Sequence, residues 1–230
     1  MNIVLAGDSW GFPNYSCPRG APAKTHLFYL LENAGHHVVN VSNNGGWNFD
    51  SIQRVFDYFA GDQHIDSPDR SYTVPKYDGR QYDYIIWFHT TPLRDIARGL
   101  TTSEQDYYSV LNSKINKMRS HAKVIGIGGC AKFSNQINKS LFHYCIEDWK
   151  ADIIDENLPD AYWWGLKQQS PRMLFNWLLP ENRTSIQDLI EECITVEGLI
   201  TDELFPDGGH PGIQPHKDLL QRLTKDVFLK

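Results

Sequence analysis

Two short stretches near opposite ends of the chain carry the residue types from which a serine nucleophile is made. Gly7-Asp8-Ser9 follows the apolar run from Asn2 to Ala6, and Asp207 and His210 stand three apart in "FPDGGHPGIQPH". A serine hydroxyl is a weak nucleophile until a base takes its proton. An imidazole does so when a carboxylate on its other ring nitrogen fixes the tautomer and stabilises the imidazolium. The spacing of Asp207 and His210 permits that hydrogen bond on a single turn. Taken singly, each stretch has a plainer meaning: Gly, Asp and Ser favour turns, and an aspartate ahead of a helix is a cap. The chemical reading therefore depends on the elements that would bring the two stretches together.

Those elements alternate. Asn2 to Ala6 and "HVVNV" (37–41) read as buried strands, with "AKTHLFYLLENAG" (23–35) between them at helical apolar spacing. "FDSIQRVFDYFAG" (49–61) repeats the helical pattern. "YDYIIWF" (82–88) is a third strand, residues 103–122 are a long helix, and "KVIGIGG" (123–129) is a fourth strand. "FHYCIEDW" (142–149) fits either a fifth strand or a buried helical turn. Residues 161–194 suggest two helices around Pro180, and "PHKDLLQRLTKDVFLK" closes the sequence as an amphipathic helix with Leu219, Leu220, Leu223 and Val227 on one side. Strands alternating with helices predict an α/β fold with a doubly wound parallel sheet, read as one domain over 1–230. In such a sheet the loops at the carboxyl ends of the strands carry the chemistry. The polar loop 61–81 joins a helix to a strand, so it belongs at the opposite end.

With these blocks in place the sequence resembles the SGNH (GDSL-type) hydrolases. The resemblance rests on Gly7-Asp8-Ser9 and on Asp207-x-x-His210-Pro211, and on "NVSNNGGWN", which supplies Asn43 and Gly45 after the second strand. It implies a flavodoxin-like three-layer α/β/α sandwich with about five parallel strands, and a cofactor-free serine esterase or acylhydrolase. Ser9 would be the nucleophile, His210 the base and Asp207 its partner, with the amides of Ser9 and Gly45 in the oxyanion hole. The third block departs from the family pattern. Where the family has Gly-x-Asn-Asp this chain reads "FHTTPLRD", so His89 replaces the glycine and Thr91 the asparagine that donates the third oxyanion bond. A threonine hydroxyl donates too, but from a shorter side chain. The altered block keeps two other readings open: a non-catalytic ligand-binding protein on the same fold, and an acyltransferase.

Composition narrows the substrate. The net charge of −6 without a basic run argues against nucleic acid. No stretch approaches the roughly 18 to 20 apolar residues of a membrane span, and no basic segment followed by an apolar run precedes Gly7. The sequence thus reads as that of a cytoplasmic protein. The four cysteines form no close pair and read as reduced thiols. Asp62, His64 and Asp66 alternate as a metal set can, but a polar loop more often just solvates such groups, and no metal is expected. "GIGG" (126–129) lacks the third glycine and the acidic residue of a dinucleotide loop. At 13% the aromatic content is rich. Trp10 and Trp47, each beside a candidate block, suit an acyl or sugar pocket as well as a core, and His89 suits the pocket or a structural role. A small-molecule or carbohydrate ester, with acetyl on a sugar as the favoured case, is the expected substrate.

Overall fold

A computed structural model describes residues 1–12, 26–62, 73–90, 92–96, 99, 103–129, 133–147, 149 and 211–230. Thr91, Asp207, His210, His64, Asp66 and the segment 161–194 lie outside these residues.

Among the described residues five parallel strands form the sheet: β1 (Asn2–Ala6), β2 (His37–Asn40), β3 (Tyr84–His89), β4 (Lys123–Gly128) and β5 (Tyr144–Ile146). Their order is β2-β1-β3-β4-β5, that of a flavodoxin-like sheet. The ambiguous segment 142–149 resolves as a strand because β4 offers it a partner edge, with Ile125 opposite Tyr144 and Ile127 opposite Ile146.

Among the described residues the α-helices are α1 (Leu27–Asn33), α2 (Asn48–Ala60), the short α3 (Leu93–Ile96), α4 (Glu104–Met118) and α5 (Ile213–Leu223), which runs on into a π-helical turn, Thr224–Phe228. The strand side chains alternate between two apolar layers, as the two-residue period of a strand requires. On one face Ile3, Leu5, Ile86, Phe88, Ile125 and Ile127 pack with Leu27 and Leu31 of α1 and with Leu219 and Leu223 of α5. On the other Val4, Ala6, Val39, Ile85, Trp87 and Val124 pack with Ile52 and Val55 of α2 and with Leu111 and Ile115 of α4. The result is a three-layer α/β/α sandwich. Burial on both faces is why these strands read as continuous apolar runs rather than as alternating ones.

From β1 the chain crosses to β2 on one side, then returns to β3 on the other. The crevice beyond the carboxyl ends of β1 and β3 is therefore the topological switch point, where open α/β sheets bind ligands. Among the described residues no helix is long and apolar enough to cross a membrane.

Candidate active site

Ser9 lies at this switch point, in a tight turn directly after β1. The Gly11 amide donates to the Asp8 carbonyl at 3.0 Å and the Phe12 amide to the Ser9 carbonyl at 3.4 Å. Asp8 also closes the turn with its side chain, since Oδ1 accepts from the Trp10 amide at 3.0 Å. The peptide after Ser9 is thereby tied to the Asp8 carboxylate, and the one before it to the Gly11 amide. Gly7 makes the corner possible. Its φ is +149°, and a Cβ there would sit 2.6 Å from the Phe88 Cβ, so only glycine lets β1 leave the sheet this close to β3.

The second block is bonded to the first through its backbone. The Asn43 amide donates to the Gly7 carbonyl at 3.0 Å, and the Gly46 amide returns to the Asn43 carbonyl at 2.9 Å. The turn between them needs Gly45, whose φ is +71°, and no atom of the described residues comes within 4 Å of a Cβ placed there. Asn40, the last residue of β2, adds a tie: its Nδ2 donates to the Gly11 carbonyl at 2.6 Å and its Oδ1 accepts from the Ser42 amide at 2.8 Å. The Asn43 side chain donates to Asp50 at 3.2 Å.

The third block is held at both ends by bonds to residues outside it. Asn48, at the start of α2, grips the Thr90 peptide on both sides, accepting from its N–H at 2.9 Å and donating to its carbonyl at 2.8 Å. The residue preceding Thr91 is thus fixed. Beyond it, Asp95 of α3 accepts from the Phe49 amide at 2.9 Å, the Asn48 amide at 3.2 Å and the Tyr107 hydroxyl at 3.2 Å. Trp47 caps α2 with no side-chain hydrogen bond, so this carboxylate serves as the cap from a different helix. Burial pushes the Asp95 pKa up to about 6, although the Phe49, Asn48 and Tyr107 donors oppose the shift. Tyr107 is held far above its ordinary range by burial and by the neighbouring Asp95 charge.

Arg94, one residue before Asp95, turns toward the first two blocks. Its Nη1 donates to Asp8 Oδ2 at 3.2 Å and to the Gly46 carbonyl at 2.9 Å. Sequence reasoning passed over Arg94, Asp95, Asn48 and Asn40. The available signal was polarity at strand and helix ends, which is also what a solvated loop looks like.

The remaining expectations sort by burial. His89 is the last residue of β3 and fully buried, its ring 4.6 Å from Phe133 and 5.6 Å from Trp87, which places it inside an aromatic layer. Trp10 also belongs to the core, 2% exposed and edge-on to Trp149 at 5.6 Å. Trp47 is half-buried against the α2 layer, so of the two tryptophans it alone retains an accessible side.

On the α1 side of the corner, His26 accepts from the Phe28 amide at Nδ1 (3.1 Å), so its Nε2 carries the proton and donates to the Trp10 carbonyl at 2.9 Å. Burial drives the His26 pKa down to about 4. His216, in the first turn of α5, packs on His26 with ring centroids 4.3 Å apart and planes inclined by 54°, and lies 5.4 Å from Trp149. Its pKa falls well below the ordinary value through burial and the His26 charge. Among the described residues no group of three or more His, Cys, Asp or Glu is arranged to hold a metal ion.

No protein-family model matches the chain, and no curated protein does. Among solved structures it is similar to the crystal structure of TesA, at 14% identity over 98% of this chain and 97% of that one, with a TM-score of 0.44.

Proposed function

We propose that the chain is a serine hydrolase of the SGNH type acting on ester bonds. Ser9 is its nucleophile, His210 the base and Asp207 the carboxylate that orients it. The observation that carries this reading is the position of the Gly7-Asp8-Ser9 corner at the switch point of the sheet, backbone-bonded to the Gly45 turn. Support for the other half of the triad comes from α5. His216 in its first turns packs on His26, which is bonded to the Trp10 carbonyl, one residue from Ser9. His210 precedes the start of α5 by only three residues, a span of at most about 10 Å for extended chain.

In this reading His210 takes the Ser9 proton as Oγ attacks the ester carbonyl, and Asp207 stabilises the imidazolium. The amides of Ser9 and Gly45 and the Thr91 hydroxyl bind the negative oxygen of the tetrahedral intermediate. His210 passes its proton to the departing alcohol, and water then hydrolyses the acyl-enzyme. The half-buried Trp47 and the open flank of Gly45 favour a short acyl group on a sugar, such as an O-acetyl ester.

The test pairs turnover with covalent labelling. The wild type should hydrolyse p-nitrophenyl acetate and take up one fluorophosphonate, located on Ser9 by peptide mass spectrometry. Ser9→Ala should lower the rate by about a thousandfold or more, since members of a triad act as a unit, and should abolish labelling while keeping the wild-type melting temperature. Undiminished hydrolysis by folded Ser9→Ala would sink the assignment, and a wild type that binds acetylated sugars without cleaving them would make the chain a binding protein.

A further inference from the structure

We propose that Arg94 is a positioning residue for the oxyanion hole: its guanidinium sets the separation between the Ser9 corner and the Gly45 turn. The inference rests on the serine-hydrolase reading and extends it to a residue in the altered third block.

A single nitrogen, Nη1, joins the two halves of the hole, with Asp8 Oδ2 at 3.2 Å on one side and the Gly46 carbonyl at 2.9 Å on the other. Asp8 immediately precedes Ser9, and Gly46 immediately follows Gly45. The Asp8 side chain is 1% exposed and that of Arg94 17% exposed. A carboxylate this deeply withdrawn from water has to be matched by a cation and by hydrogen bonds, so the pair has little freedom to separate. The second oxygen of Asp8 holds the Trp10 amide. A shift of the guanidinium is therefore passed to both sides of the Ser9 peptide.

Arg94 is itself anchored. Asp95, the next residue, is fully buried and bonded to the first two amides of α2. Successive residues of α3 thus face opposite ways, one fixed to the helix layer and the other clamping the two turns. Nη1 carries two N–H bonds, one for each acceptor, and the planar guanidinium holds both in its own plane.

Oxyanion donors act on a charge that exists only in the transition state, so misplacing them should lower kcat and spare KM. Displacement of such groups by about 1 Å costs about a hundredfold in rate. In the full-length protein, Arg94→Met should reduce kcat for p-nitrophenyl acetate by about that factor with KM within about twofold of wild type. It should slow fluorophosphonate labelling of Ser9 in parallel, and Arg94→Lys should recover part of both losses. If Arg94→Met does not fold, Arg94→Lys and Asp8→Asn carry the same kcat-against-KM criterion. An unchanged kcat in a folded Arg94 variant, or a loss confined to KM, overturns the proposal while leaving the hydrolase reading intact. A wild type that is neither active nor labelled overturns the hydrolase reading and this proposal with it.

Discussion

The two flanks of the Ser9 corner solve the burial of polar groups in opposite ways. On the α2 flank, Asn48, Thr90, Asp95 and Tyr107 satisfy one another through hydrogen bonds at 2.8 to 3.2 Å. On the α1 and α5 flank two imidazoles pack at 4.3 Å, tilted by 54°, and His216 Nδ1 and Trp149 Nε1 are buried with no hydrogen-bond partner among the described residues. A closed network fixes a loop in one geometry, which suits the third block. Buried neutral imidazoles in contact are held only while they stay uncharged. Protonation therefore favours the folded state on one flank, through Asp95, and opposes it on the other, through His26 and His216.

The sharpest way to break the comparison is to open the closed network. Asn48→Ala removes the side chain that bonds both Thr90 backbone groups and the Tyr107 hydroxyl. Each buried group stripped of its partner costs on the order of 1 to 3 kcal/mol, so unfolding in urea should show a loss of about 4 kcal/mol. A loss below about 1 kcal/mol would mean that water replaces the amide and that this flank is not rigid.

The second effect concerns the conditional flank. The folded-state pKa of His26 lies below its unfolded value, so the unfolded chain binds more protons between the two, and stability present above pH 6.5 is lost as the pH falls toward 4. For His26 alone the loss is about 3 kcal/mol, and His216 adds to it with the same sign. His216→Phe should make this acid limb shallower and leave stability at pH 7 unchanged or raised, because it removes a buried nitrogen with no partner among the described residues. An acid limb of wild-type steepness in that variant would remove His216 from the account.

Asp95 gives the smaller effect, with the opposite sign. Its folded pKa is raised to about 6, so the stability it contributes is complete below its unfolded value near 3.8 and is lost as the pH rises through 6. In wild type this offsets part of the histidine effect. Asp95→Asn should therefore steepen the fall between pH 6 and 4 by slightly under about 3 kcal/mol, read from chemical unfolding across that range. An identical slope in the variant would show that Asp95 is ionised at its ordinary pKa.

What the sequence determined by itself was local. The apolar runs, their helical or strand period and the turn residues after β1 and β2 are encoded within about a dozen neighbouring residues, and the α/β order, the strands and the Gly7-Asp8-Ser9 and Gly45 turns follow from them. The tertiary structure decided what depends on partners far along the chain. Residues 144–146 became a strand because β4 presents a free edge, and Trp10 became core because Trp149 covers it. Asn48 became the clamp of a peptide 42 residues away, and Arg94 the partner of an aspartate 86 residues away. Such pairs leave no periodicity in the sequence. A charged residue in a turn looks the same whether it faces water or a buried carboxylate, and only the packing of α3 against the sheet edge separates the two.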